Sequence, residues 1–425
     1  MNLAMPRLLS KAGGRLERAG VLKPHGATTA TKNPKSSERS AARANAEAFG
    51  SYFQLVVLVV VLCAFGLMMV LSASSVEALR VYENSWLYFQ RQAIWLVLGM
   101  VVLWVTSRID YQQWRKWTTP MLFISGIALV LVLVPGIGIT VWGSTRWLGF
   151  GPLRVQPSEI AKFAVMVFCC DLLARRSHLL DDWRATTKPV IAVFLIFATL
   201  VMVEPDMGTT LVTASVVVTA LFVAGTPIKR MLKLGAVAVA VASALAVLEP
   251  YRRERLMSFR DPFADAANTG YQMVQSLVGI GSGGLTGVGL GESRAKWGFL
   301  PNAHTDFIFA VIAEELGLIG ATLVLGLFIG FAILGARVAC RAPDHFGTMM
   351  AACITAWIVF QAFLNIAAVI GLVPVTGVPL PFLSQGGTSL VILLAATGVL
   401  LNIAHKGELA NRKSPLRTAS EAAKS

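Results

Sequence analysis

The chain has 425 residues, of which 55% are hydrophobic and 14% charged, with a formal net charge of +14. A charged content of about half the soluble average, joined to repeated long apolar runs, excludes a water-soluble globular domain and places the chain in a bilayer. The basic residues are scattered between apolar segments rather than gathered on one face, which argues for a topology signal and against a nucleic-acid partner.

Residues 1–50 form a basic tail with no apolar core long enough for a signal peptide and no periodicity, so disorder is expected there. The tail reads as a positive-inside signal, or as a docking arm for a cytoplasmic partner or anionic lipid. A transmembrane helix needs about 20 mostly apolar residues. Spans are expected near Phe53–Leu71, Trp86–Thr106, Pro120–Ile137, Ser158–Leu173 and Pro189–Val203, then near Gly208–Val223, Leu232–Leu248, Asp306–Val338, Gly347–Leu372 and Gly386–Ile403. The eighth is too long for one perpendicular crossing, and Gly317 and Gly320 are where it could bend. With the tail inside, the connections carrying Arg108/Arg115/Lys116, Arg175/Arg176/Arg184, Lys229/Arg230/Lys233 and Arg337/Arg341 also fall inside. The expected fold is an all-α polytopic membrane protein with ten transmembrane helices in a domain over 51–405. A large extracytoplasmic loop, 250–305, separates the seventh span from the eighth, and residues 406–425 form a second cytoplasmic tail.

Candidate chemistry collects on the outer side. Arg146 and Arg154 follow the third span among tryptophans that serve as interfacial anchors or as surfaces for sugar stacking. Glu159 and Lys162 stand at i and i+3 on the fourth span, suited to an internal ion pair, to a substrate contact, or to both. The connection Glu204-Pro205-Asp206-Met207-Gly208-Thr209 is a tight turn or a rim of carboxylates.

The large loop opens with Arg252, Arg253, Arg255 and Arg260, which breaks the positive-inside rule and suggests an anion. Its Gly279–Gly284 run matches GxGxxG without a preceding strand, so a nucleotide site is rejected and close approach to a lipid headgroup is expected instead. The loop closes on His304-Thr305-Asp306 at the head of the eighth span. Asp306 is either a general base or a helix cap. Glu314 and Glu315 read as paired or structural. The proline- and glycine-broken stretch Val373–Gly387, which contains Ser384, is a second wall for a cavity. The five cysteines lack metal or disulfide spacing and read as packing.

Seven stretches in this order resemble the SEDS family (shape, elongation, division and sporulation proteins). They are Ser144-Thr145-Arg146-Trp147, Gln156-Pro157-Ser158-Glu159, Glu204–Thr209, Gly270-Tyr271-Gln272, His304–Phe309, Glu314-Glu315-Leu316-Gly317 and Pro381–Gly387. One departure is Gln385-Gly386-Gly387-Thr388, where the family usually has Tyr-Gly-Gly-Ser. Leu300–Asp306 and the basic extension look most like the division-type members, with the elongation type next.

The resemblance implies a peptidoglycan glycosyltransferase that polymerises lipid II at the outer face of the plasma membrane, at the division septum. It implies as partners a class B penicillin-binding transpeptidase and other division proteins. It puts the catalytic aspartate at Asp306 and substrate contacts at Glu159 and Lys162. Arg146, Arg252, Arg253 and Arg255 are expected to hold the diphosphate, and His304 and Ser384 to line the site. No cofactor is required; a divalent cation, Mg2+ or Mn2+, is compatible with such a substrate, although no ligand cluster demands one. Transport of lipid II across the bilayer and a non-catalytic scaffold are the rival functions.

Overall fold

The computed structural model describes residues 34–141, 144–150, 153–248, 259–268 and 270–422. The chain divides into two units, Met1–Arg43 and Ala44–Ser425. Only residues 34–43 of the first are described, as helix, and the helical bundle is the second. Much of the expected disordered tail, 1–33, lies outside the described residues, whereas 34–50 is helical and runs into the first span.

The helices in chain order are α1 (Pro34–Tyr82), α2 (Leu87–Arg108), α3 (Trp114–Leu133), α4 (Pro157–Arg175), α5 (Lys188–Val203), α6 (Met207–Ala224) and α7 (Ile228–Leu248). They continue as α8 (Tyr271–Gly283), α9 (Ile308–Cys340), α10 (His345–Val369) and α11 (Gly387–Ala422). Eight described segments are long and apolar enough to cross a membrane. They correspond to every expected span except the fourth and seventh, where α4 and α7 stand.

The exception at α4 has a physical cause. It carries Glu159, Lys162, Asp171 and Arg175, yet nearly its whole surface is buried, against α3, α5, α6, α10 and α11. A helix walled in by other helices need not be apolar, because lipid never meets it. The bundle is built around this charged helix.

Lipid tails are as apolar as leucine, so close packing and interhelical hydrogen bonds hold such a bundle together rather than water exclusion. The broadest contact joins α2 to α11. There a Cβ added at Gly398 would stand 2.0 Å from Thr106 Oγ1, and Thr106 donates a 3.0 Å hydrogen bond to the Ala395 carbonyl. The small residue lets the backbones approach and the hydroxyl stitches them.

The all-helical expectation needs one addition. Between α3 and α4 the chain forms an antiparallel sheet of β1 (Gly138–Val141), β2 (Ser144–Phe150) and β3 (Leu153–Val155), in the order β1-β2-β3. Gly138 pairs with Leu148 and Leu148 with Val155. The third span consequently ends at Leu133 and begins at Trp114, with Pro120 inside the helix rather than at its start.

The long α9 does break at Gly317, whose φ of 65° and ψ of −161° lie outside any helix. The glycine-rich loop fills the break. Leu318 and Ile319 N–H donate to the carbonyls of Gly284 and Leu285 at 3.0 and 3.2 Å, while Val288 and Gly289 N–H donate to the carbonyls of Glu314 and Glu315 at 3.0 and 3.1 Å. The close approach expected of these glycines is made, but to α9 itself. At 1.5 Å per residue the Leu318–Cys340 part is about 35 Å long, enough to cross alone.

The helix ends sort into two sets. At one end Arg115 Nε and Arg175 Nε both meet Asp171 Oδ1 at 2.8 Å, Tyr111 and Gln112 bond Asp344, and Lys406 pairs with Asp110. The opposite end carries the sheet, the α5–α6 turn and Asp306.

Candidate active site

Asp306 lies just ahead of α9, half-buried, in a run of turns from Pro301 to Phe307. The helix cap is Phe307, without a side-chain capping bond of its own. The position of Asp306 is fixed through its backbone. Asn365 Nδ2 of α10 donates to the Asp306 carbonyl at 2.7 Å and to the Val378 carbonyl at 2.8 Å. Ser384 Oγ donates to the Thr305 carbonyl at 2.6 Å and accepts from Leu380 N–H at 2.8 Å. Gln385 N–H reaches the His304 carbonyl at 3.0 Å. The broken stretch 373–387 is thus laced to the Asp306 loop. Gly377 faces the carboxylate, since a Cβ there would stand 3.7 Å from Asp306 Oδ2.

Below this rim Glu159 and Lys162 form the expected pair on α4, with Lys162 Nζ 2.8 Å from Glu159 Oε1 and both side chains almost fully buried. Lys162 Nζ also stands 5.2 Å from the centre of the Trp357 ring on α10, a cation–π contact. Trp357 Nε1 donates to Gln361 Oε1 at 3.0 Å, and Gln361 Nε2 to the Pro379 carbonyl at 3.0 Å. A pocket beside Lys162 is lined by Ser158, Phe197, Val201 and Thr213 of α4, α5 and α6.

The rim continues at the α5–α6 turn. Arg146 of β2 donates through Nε to the Glu204 carbonyl at 2.9 Å and through Nη2 to the Pro205 carbonyl at 2.5 Å, and Ser144 Oγ joins the Glu204 carbonyl at 2.9 Å. These bonds staple the sheet to the turn and occupy two faces of the guanidinium. Asp206 caps α6 through Thr209 N–H at 3.0 Å. Glu204 is 1% exposed, and neither carboxylate oxygen has a hydrogen-bond partner. Burial pushes its carboxyl up to about 8, with neighbouring Asp206 adding to the shift and Arg146 opposing it.

His304 turns the other way. Nδ1 lies 3.2 Å from Glu77 Oε2 of α1, and the ring stacks on Tyr88 of α2 at 4.8 Å between centroids. Glu314 accepts from the backbone N–H groups of Arg294 and Ala295 at 2.9 and 3.3 Å and from the Ser293 hydroxyl, tying the loop to α9. Glu315 accepts from Ser72 Oγ at 2.6 Å. Lys296 is buried and donates to the Gly291 carbonyl.

The family model described as Cell cycle protein (FTSW_RODA_SPOVE) matches residues 53–409. The chain belongs to this family. Stage V sporulation protein E of Bacillus subtilis (strain 168) is 39% identical over 349 residues, covering 82% of this chain and 95% of the relative. The probable peptidoglycan glycosyltransferase FtsW of Trichlorobacter lovleyi is 42% identical over 349 residues, covering 82% and 92%. Among solved structures, a chain from "Structural coordination of polymerization and crosslinking by a peptidoglycan synthase complex" superposes with a TM-score of 0.71 at 27% identity, covering 84% of this chain and 98% of that one. The rod shape determining protein RodA of Thermus thermophilus, solved also as an aspartate-to-alanine mutant, gives 0.61 at 26% identity, covering 83% and 96%.

In this FtsW/RodA/SpoVE member the structure joins Asp306 to the Glu159–Lys162 pair through the α10 side chains. On the rim, Ser384 and Arg146 also hold neighbouring segments by hydrogen bonds, and His304 lies against Glu77. Arg252, Arg253 and Arg255 lie outside the described residues. Sequence reasoning missed Trp357, Gln361 and Asn365, although polar groups at every fourth position of an apolar helix are a readable sign.

Proposed function

We propose that the chain is a peptidoglycan glycosyltransferase of the division type, joining lipid II into β-1,4-linked glycan, with Asp306 as general base. The observation that carries this reading is the placement of Asp306. It is a half-buried carboxylate at a loop–helix junction, on the end of the bundle away from the basic connections, with its backbone clamped on both sides. Relatives named as peptidoglycan glycosyltransferases, 37–42% identical, support the activity.

Asp306 takes the proton from the 4-hydroxyl of the acceptor N-acetylglucosamine. That oxygen attacks C1 of the donor N-acetylmuramic acid and inverts it, and undecaprenyl diphosphate leaves. General-base assistance of this kind is worth about 10² to 10⁴ in rate. Arg252, Arg253 and Arg255 would stabilise the departing diphosphate, by the positioned electrostatics that phosphate chemistry relies on. A divalent cation, Mg2+ or Mn2+, would arrive with the diphosphate and needs no protein cage. The enzyme would sit in the plasma membrane at the division septum, with both termini cytoplasmic and a class B transpeptidase beside it to crosslink the product.

The test is polymerisation of labelled lipid II by the purified protein and its Asp306→Ala variant, each with the cognate transpeptidase blocked in crosslinking. Glycan ladders from the wild type alone support the proposal. Ladders from both would remove Asp306 from the mechanism, and ladders from neither, with an active control enzyme, would move the weight to transport.

A further inference from the structure

A buried amide in an apolar helix is costly unless it is hydrogen-bonded. α10 carries two, Gln361 and Asn365, one turn apart and in line with Trp357. All three are buried. At i, i+4 and i+8 they form one stripe about 12 Å long. The stripe does not bond to α10's helical neighbours for the most part; its amide donors go to backbone carbonyls of two irregular segments.

Asn365 has one NH2 group and gives both of its protons to carbonyls on different segments, Asp306 at 2.7 Å and Val378 at 2.8 Å. Two carbonyl acceptors fix the orientation of the amide, because only the nitrogen can donate. Gln361 repeats the pattern a turn away, donating to the Pro379 carbonyl at 3.0 Å and accepting from Trp357 at 3.0 Å. The two segments that these amides reach are the two that face each other across Asp306 Oδ2 and Gly377.

We infer that Asn365 is a positioning residue for the reaction: its amide sets the separation of the Asp306 loop from the Val378 loop, and the Trp357–Gln361–Asn365 stripe ties that separation to the Glu159–Lys162 pair. The tether acts on the backbone, so it aims the Asp306 carboxylate without contacting substrate. A misplacement of the base by about 1 Å is enough to cost some 10²-fold in rate while leaving binding by the rest of the site in place. The rate consequence rests on the glycosyltransferase reading; the tether itself does not.

Two measurements on the full-length protein in nanodiscs separate these. Hydrogen exchange reads the tether: Asn365→Leu should speed exchange at least tenfold in 302–308 and 376–380 together, with 284–289 unchanged. Exchange unaltered in those two segments overturns the inference, whether or not the protein polymerises anything.

Polymerisation of lipid II with the blocked transpeptidase reads the consequence. Asn365→Leu should lower kcat about 30-fold or more with KM within threefold. The nearly isosteric Asn365→Asp, which cannot donate, should not restore it. A kcat within twofold of wild type overturns the inference, as does a raised KM with kcat intact, which would make Asn365 a substrate contact. If Asn365→Leu does not fold, Gln361→Met decides by the same two readouts. Failure of both to fold would make the stripe a folding element and overturn its positioning role. Faster exchange in Asn365→Leu, as expected, beside a wild type that makes no glycan defeats the glycosyltransferase reading alone.

Discussion

Lys162 Nζ and Glu159 Oε1 meet at 2.8 Å in the interior of the bundle, both on α4 and both almost wholly shut off from solvent. Neither charge would be tolerated there alone. Removing one partner of a buried pair typically costs about 3–5 kcal/mol, because the other is left uncompensated. Lys162→Met should therefore lower the melting temperature in detergent sharply. Combined with Glu159→Gln it should recover much of the loss, a coupling that a thermal double-mutant cycle would read. Additive losses would mean that the two side chains act independently.

Gly317 is held where only glycine sits easily, and a Cβ there would stand 2.4 Å from Gly287 N. Gly317→Ala meets both obstacles, the backbone strain and the contact, each worth about 1–3 kcal/mol or more. The expected outcome is detachment of the 284–289 loop, seen as new proteolytic cleavage there, together with a lower melting temperature. An unaltered digest would show that the break accommodates a methyl group.

Glu204 binds a proton in the folded protein up to about pH 8, whereas its ordinary value is 4.5. Between those values the unfolded chain has released a proton that the folded one keeps, so the contribution to stability falls as pH rises and levels off above about 8. Glu204→Gln removes the titration. Melting temperatures from pH 5 to 9 should slope downward more steeply for the wild type than for the variant, with the variant the more stable at pH 9. Parallel slopes would count against a raised value.

The Ser384 hydroxyl joins Leu380 N–H to the Thr305 carbonyl. Ser384→Ala leaves a buried donor and acceptor unmet, at about 1–3 kcal/mol. A drop in melting temperature accompanied by reduced polymerisation at unchanged KM is expected. A raised KM with stability unchanged would instead mark Ser384 as a direct substrate contact.

What the sequence made legible was whatever local spacing or apolar length encodes. The spans were readable, as were the i, i+3 geometry of Glu159 and Lys162 and the bend at Gly317. The family motifs pointed to Asp306. Contacts between distant segments are not readable from one chain, so neither the approach of His304 to Glu77 nor its stacking on Tyr88 could be foreseen. The sheet over 138–155 was hidden because its strands are short and its tryptophans and glycines read equally well as an interfacial loop. Asn365 and Gln361 were overlooked for a different reason. The hydropathy that identified their helix also averaged them away.

The backbone exchange at Gly317 has a consequence for how the protein is made. A helix entering the bilayer with a break in it exposes donors and acceptors that hydrocarbon cannot satisfy, at several kcal/mol each. Here the complement to that break, 284–289, comes earlier in the chain than α9. The ribosome delivers the patch before the tear, so the partners of the break are already synthesised when α9 emerges.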